Sequence, residues 1–339
     1  ENRGGVMRHL TILLKYFVSL TLGVGLTALV YAADERSIED RAEIYREAAT
    51  LAAGDDHFRL IQSVCPANPR VAEQPRPRSA TATPPARVIP PIDEWYREPV
   101  KVFDELYFVG TDNHSSWAVV TEDGIMLLDT VYNYATGDAI VDGLKKLGFD
   151  PADIEYVFIS HGHGDHHGGA KYLQDEFNAR IIMGAEDWDL VERDRRNPVP
   201  RRDIVATDGM TFEMGNTTIT LYQTPGHTTG TFSSIVTVRD NGIEHIAASW
   251  GGTAIWPRTP TEQVQLYIDS SVRMRNIVQN RGVDVLIANH LVFDGSREKI
   301  PLLANRRAGD PHPYVVGTET VTRYLMVAEN CARAEMAYR

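Results

Sequence analysis

Cysteine is scarce, basic charge is in the minority, and no long apolar run occurs beyond the amino terminus. Each shortage narrows the function. With 34 Lys and Arg, scattered rather than clustered, against 46 Asp and Glu, the chain lacks a surface that would hold a phosphate backbone, which argues against a nucleic-acid partner. No G-x-S-x-G turn is present. The only cysteines, Cys65 in a proline-rich segment and Cys331 near the end, lie in no context that would make a nucleophile, so serine and thiol catalysis are set aside. What is present is an ordinary globular composition, 43% hydrophobic and 24% charged, with a length that can bury one large core or two smaller ones. A small-molecule substrate fits that balance best.

The apolar run Tyr16 to Val30, preceded by Arg8 and Lys15 and closed by Val30-Tyr31-Ala32, is the pattern of an export signal over residues 1–33, removed in the mature protein. A retained membrane anchor is the competing reading. Export implies a periplasmic or secreted protein without stable membrane insertion. In that oxidising setting, Cys65 and Cys331 either form one bridge from the amino-terminal arm to the carboxy-terminal helix or stay as two thiols; the sequence leaves both open.

Residues 34–99 read as a helix (34–64) and then a linker with nine prolines between Cys65 and Pro99. From Val100 the pattern changes to short apolar or alternating strands, KVFDELYFVG, SSWAVVT and GIMLLDT, followed by a helix over 136–147. A second series of strands occupies 208–248, with a hairpin turn at Asn241-Gly242, then a helix over 261–281, the strand VDVLIAN and a last helix near 318–337. Two successive groups of similar design predict an α/β protein with two stacked sheets and helices outside. The domain divisions expected are 100–295 for the main unit and 296–339 for a carboxy-terminal extension with a helix.

One stretch stands apart: SHGHGDHHGG, residues 160–169, which places four of the eleven histidines and an aspartate within seven positions. Imidazole and carboxylate are ligands for Zn²⁺, and His161, His163, Asp165 and His166 have the spacing to surround a metal pair. The glycines Gly162, Gly164, Gly168 and Gly169 remove bulk and permit positive φ. Four residues cannot complete two sites. His227, in TPGHTTG after the strand ITLYQ, and His290, after the strand of LIANH, end strands as the loop does, so one rim of the sheets can gather all six.

At these residues the chain resembles the metallo-β-lactamase superfamily, whose signature is HxHxDH with following glycines, a later TPGHTxG turn and a final histidine after a buried strand. The resemblance covers about residues 100–295. It implies the αββα four-layer sandwich, here with an amino-terminal helical and proline-rich extension. It also implies two Zn²⁺ per chain, one on His161, His163 and His227, the other on Asp165, His166 and His290. The segment Ile246 to Thr253 lacks the aspartate or cysteine found there in other members, a pattern similar to the third subclass of metallo-β-lactamases. VGTDNHSSWAVV, with Ser115 and Ser116, also resembles that subclass, and Ser249 matches a serine used near substrate; a second serine is replaced by Gly251.

Two Zn²⁺ sharing a water lower its pKa from near 16 to about 7, supplying hydroxide to attack a carbonyl. Asp165, as the catalytic residue, would orient it. The expectation is therefore an exported zinc hydrolase that opens a cyclic amide, β-lactams first, with a lactone or other ester as the alternative substrate. A non-catalytic zinc-binding protein and a di-iron redox protein rank lower. Ser115, Ser116, Ser249, Trp117 and His114 are the candidate substrate contacts. Trp250 and Trp256 are read as packing more than pocket lining, His167 as exposed or behind the ligands, and the run 187–202 as a solvated helix end and loop.

Overall fold

The structure, a computed structural model, describes residues 37–65, 88–256 and 258–339. The expected export signal, 1–33, and most of the expected linker lie outside the described residues. Among the described residues no helix is long and apolar enough to cross a membrane.

The chain enters through α1 (Ile38–Ala53) and α2 (Phe58–Val64). The single helix expected over 34–64 breaks at Gly54, whose φ of +49° ends α1. The first sheet runs β1 (Val100–Lys101), β2 (Leu106–Phe108), β3 (Trp117–Thr121), β4 (Gly124–Leu128), β5 (Ile154–Phe158), β6 (Arg180–Met183) and β7 (Ile204–Val205), in that order. KVFDELYFVG, expected as one strand, is a hairpin, because the Val102 and Phe103 amides both donate to the Leu106 carbonyl. Pairing is antiparallel from β1 to β4 and parallel from β4 to β7.

Crossovers carry α3 (Asn133–Thr136), a π-helical turn over Gly137–Val141 and α4 (Asp142–Lys146), then α5 (Gly164–His167) and α6 (Ala170–Phe177), and then α7 (Ala185–Val191). The second sheet has the order β12-β11-β10-β9-β8, from β8 (Thr211–Met214), β9 (Thr217–Gln223), β10 (Phe232–Asp240), β11 (Ile243–Ser249) and β12 (Val285–Ile287). Its helices are α8 (Thr261–Arg281), α9 (Leu291–Asp294), α10 (Ser296–Ala304) and α11 (Thr318–Met336).

Strand alternation explains the layering. Met126 and Leu128 of β4 point into a core shared with Ile219, Leu221, Val236 and Val238 of the second sheet. Their neighbours Ile125 and Leu127 pack the other way, against Ile140, Leu144, Leu173 and Trp188 of the helices. On the far face, Ile235 and Leu286 meet Val264, Met274 and Val278 of α8 and Leu325 of α11. Helix, sheet, sheet and helix thus stack as the expected αββα sandwich. The amino-terminal arm lies on the outer helical layer, where Cys65 and Cys331 form a disulfide, so the bridge and not the pair of free thiols is realised.

This topology also fixes the site. β4, β5 and β6 are parallel, as are β11 and β12, and β9 and β11 both run antiparallel to β10. The loops leaving β4, β5, β9, β11 and β12 therefore gather at the carboxyl ends of the strands.

Candidate metal centre

His161 and His163 follow β5, and α5 then makes one helical turn that carries Asp165, His166 and His167, its His166 and His167 amides donating to the His163 carbonyl. The expected open loop is thus a bend plus a turn of helix. None of its four glycines has positive φ; they serve close approach instead. A Cβ on Gly168 would lie 2.5 Å from the Gly164 carbonyl, and one on Gly169 would lie 2.1 Å from Thr136 Oγ1.

Two groups of ligand atoms form at the rim. In the first, His161, His163 and His227 present atoms all within 4.8 Å of one another. His227 Nδ1 donates to the Ala254 carbonyl, leaving its Nε2 3.1 Å from His163 Nδ1. His161 Nδ1 donates to the Gly251 carbonyl at 2.8 Å, and its Nε2 is buried without a hydrogen-bond partner. A nitrogen lone pair, buried and aimed at two others, is the feature a metal ion satisfies.

The second group collects around one oxygen. Asp165 Oδ2 lies 3.3 Å from His166 Nε2, 3.4 Å from His114 Nε2 and 3.6 Å from His290 Nε2. His166 Nδ1 donates to Asp129 Oδ2 at 2.9 Å. The ring centroids of His161 and His166 are 4.0 Å apart, so the two groups adjoin.

Electrostatics set the two groups apart. Burial, reinforced by neighbouring histidines, pushes His161 and His290 well below the usual imidazole range, lowers His163, and brings His227 down to about 3, so these rings are neutral. Burial alone would raise Asp165, but His166, His114 and His161 outweigh it and hold the carboxyl well below its usual range. Burial likewise disfavours charge on His166, yet Asp165 and Asp129 prevail and raise it to about 10. On one side stand three neutral nitrogens, a donor set that suits zinc; on the other an ionised carboxylate faces a protonated His166, whose Nε2 proton a bound ion would displace.

Other candidates fall elsewhere. Trp117 is buried in the inter-sheet core, its Nε1 donating to the Ala288 carbonyl and its ring edge-on to Phe108 and Tyr314, so it does not contact a substrate. Ser116 is likewise sealed in, with its hydroxyl donating to the Asp129 carbonyl at 2.8 Å. Both corrections have one cause: the carboxyl end of β4 and the β12 loop pack over β3 and claim these polar atoms. Ser115 is buried with its hydroxyl unpartnered, and Ser249 ends β11 with 8% exposure. His167 is buried, its Nε2 3.1 Å from Asp194.

Sequence reading missed the supporting carboxylates. Asp129, at the end of GIMLLDT with φ of +63°, accepts from the Ser160 amide and hydroxyl as well as from His166. Asp187, expected in a solvated run, is buried and accepts from Gly162 N, Thr228 Oγ1 and Gly230 N, stitching the histidine loop to the His227 turn. An aspartate directly after an apolar strand, in GIMLLDT, was the available signal for the first; nothing local marked the second. A cleft of about 430 Å³ lies beside His163 and His227, lined also by Glu186, Asp189, Arg193 and Gln263.

Comparison with known proteins agrees with this geometry. Residues 109–242 match the family model described as "Metallo-beta-lactamase superfamily". The fold is similar to that of a subclass B3 metallo-beta-lactamase of Bradyrhizobium japonicum, at 28% identity and a TM-score of 0.61, covering 69% of this chain and 92% of that one. A hydroxyacylglutathione hydrolase of Acidiphilium cryptum is 34% identical over 28% of this chain and 35% of its own length. The N-acyl homoserine lactonase AttM of Agrobacterium fabrum is 30% identical over 38% of this chain and 51% of its own. The chain thus spans between about a third and a half of the length of these curated relatives. From the matched segment and the αββα sandwich around it, the chain carries a metallo-beta-lactamase superfamily domain in a B3-like fold.

Proposed function

We propose that this protein is an exported, metal-dependent hydrolase that opens a cyclic amide, with β-lactams as the first substrates and two zinc ions per chain as cofactor. The observation that carries the proposal is the adjacency of the two ligand groups at one rim, with His161 Nε2 buried, unpartnered and turned toward its neighbours. His161, His163 and His227 would hold one ion, and Asp165, His166 and His290 the other. When bound, such a pair supplies Lewis acidity and a water ionised near neutral pH.

The chain's own contribution is positional. The carbonyls of Gly251 and Ala254 and the carboxylate of Asp129 lock the Nδ1 protons of His161, His227 and His166, so each presents Nε2 to the rim. Asp165, held ionised and with its side chain 21% exposed, accepts a hydrogen bond from the attacking water and so orients it. Ser249, at the end of β11, stands as a substrate contact, whereas the sealed hydroxyl of Ser115 does not; the cleft beside His163 offers Arg193 to an anionic substrate group and Gln263 to a polar one. Residues 100–295 form the catalytic unit, with 34–99 and 296–339 as extensions. The signal pattern and the disulfide support a periplasmic or secreted location.

A second reading, a lactone as substrate, draws on the similarity to the lactonase AttM and on Gly251, where the expected second serine is absent. A Cβ there would lie 1.9 Å from the Phe232 carbonyl oxygen, so a serine could be seated only if the backbone shifted. Steady-state turnover of nitrocefin, a carbapenem and an acyl-homoserine lactone by the zinc-loaded protein decides between them. β-Lactam turnover supports the first reading; lactone turnover with none of either β-lactam reverses the order.

A further inference from the structure

We infer that His114 is a fourth protein ligand of the metal held by Asp165, His166 and His290, so that the chain closes this ion's coordination shell and only the tri-histidine ion keeps an exchangeable position. The inference rests on the proposed function and refines it.

Three nitrogens surround Asp165 Oδ2, at 3.3, 3.4 and 3.6 Å, and the 3.4 Å neighbour is His114. A charge-assisted N–H···O⁻ bond closes to about 2.7–2.9 Å, so these are not tight ion pairs. Ligands on one tetrahedral zinc, each about 2.0–2.1 Å from it, are separated by about 3.3–3.4 Å along every edge. From Asp165 Oδ2 the spacings to His166 and His114 match such an edge, and that to His290 is slightly longer. His114, Asp165 and His290 also form a group whose ligand atoms all lie within 4.8 Å of one another.

The backbone holds His114 as firmly as a recognised ligand. Thr111 Oγ1 accepts from the His114 amide at 3.0 Å, and the His114 carbonyl accepts from the Thr111 amide at 2.8 Å. His114 pairs as an antiparallel bridge with His290, flanked by the bonds from Ser115 N to Asn289 O and from Leu291 N to Asn113 O. Its ring stands edge-on to Tyr132, with centroids 5.0 Å apart, and 4.8 Å from the ring of His290. A substrate contact at a pocket rim needs no such fixing, nor a nitrogen turned onto the carboxylate of a metal ligand. Structural zinc sites are closed by four protein ligands, whereas catalytic ones leave a position open. With His114 in place the residues would divide these roles: His114, Asp165, His166 and His290 would enclose one ion, and His161, His163 and His227 would leave the other open to solvent and substrate.

Anomalous diffraction from crystals of the zinc-loaded wild-type protein tests this directly. His114 Nε2 about 2.0–2.1 Å from the ion beside Asp165 is expected; a separation beyond about 3 Å overturns the inference. In solution, cobalt(II) titration of wild type and His114→Ala, with chelator competition, should show the tri-histidine equivalent unchanged. The other should weaken more than about 100-fold and change its visible spectrum, a larger loss than the 10- to 100-fold typical of an outer partner. A second equivalent with unaltered affinity and spectrum overturns the inference and leaves the proposed function standing. Wild-type protein that takes up no metal at Asp165 removes both.

Discussion

The two ligand groups adjoin, yet they are braced by different materials. Around His161 and His227 the Nδ1 partners are the backbone carbonyls of Gly251 and Ala254; around His166 the partner is the carboxylate of Asp129. A carbonyl fixes an imidazole's tautomer and direction without adding net charge. A carboxylate does the same and also makes the ring a stronger donor to a cation. One group is therefore three neutral nitrogens whose directions depend on the path of the chain. The other has two carboxylates, Asp129 and Asp165, acting on a single histidine, and depends on charge. Neighbouring metal sites in one cleft can thus be tuned separately.

The largest effect should come from the group without a carboxylate. His163→Ala removes one of its three nitrogens, and the metal there should be lost, with kcat/KM falling at least about 10³-fold, roughly 4 kcal/mol of transition-state stabilisation. Metal analysis and steady-state kinetics read this together. Turnover within tenfold of wild type, with one metal equivalent gone, would assign the chemistry to the Asp165 group and reverse the division of labour described above.

Asp129→Asn addresses the other side. Neutralising this carboxylate should weaken metal binding at the Asp165 group by about 10- to 100-fold and leave the tri-histidine group unchanged, as measured by chelator competition in a cobalt-loaded protein. Equal weakening of both groups would mean that Asp129 acts through Ser160, whose amide and hydroxyl it accepts, on the whole loop after β5.

What could be read from the sequence follows the same divide. The six ligands proposed from HGHGDHH, TPGH and LIANH announce themselves, because imidazole and carboxylate are rare at strand ends unless they have work there, and the mostly apolar runs GIMLLDT and IEYVFIS mark strands buried on both faces. The sandwich follows from those patterns. Backbone braces have no side-chain signature, so the carbonyls of Gly251 and Ala254 could not be anticipated. Asp187 was hidden for a different reason: its partners Gly162, Thr228 and Gly230 lie at least 25 residues away in the chain, and a charged-looking run around it suggested solvent. Trp117 and Ser116 were misjudged because a strand's two faces cannot be ranked as cleft or core before the second sheet is in place. His114 was noticed, but its nearness to Asp165 depends on the bridge to His290, a tertiary fact.

The smallest effect, and the sharpest test of the comparison, is expected from Gly251→Ala. A methyl group at this position would lie 1.9 Å from the Phe232 carbonyl oxygen and 2.6 Å from its carbon, backbone atoms that cannot rotate aside. The ends of β10 and β11 must part, at a cost of about 1–3 kcal/mol of stability as for other overpacked sites. The Gly251 carbonyl then shifts from His161 Nδ1, which it meets at 2.8 Å, and from Asn289 Nδ2 at 2.9 Å. Metal affinity at the tri-histidine group should fall severalfold, less than the roughly tenfold lower bound for losing an outer partner outright, since the carbonyl is displaced and not deleted. The Asp165 group should hold. A route for failure is visible: Asn289 Nδ2 also lies 3.4 Å from Ser160 Oγ, which donates to Asp129 Oδ2, so a chain of hydrogen bonds runs from Gly251 to the carboxylate bracing His166. If Gly251→Ala weakens both metals alike, that chain couples them, and the two groups are one device braced at two ends.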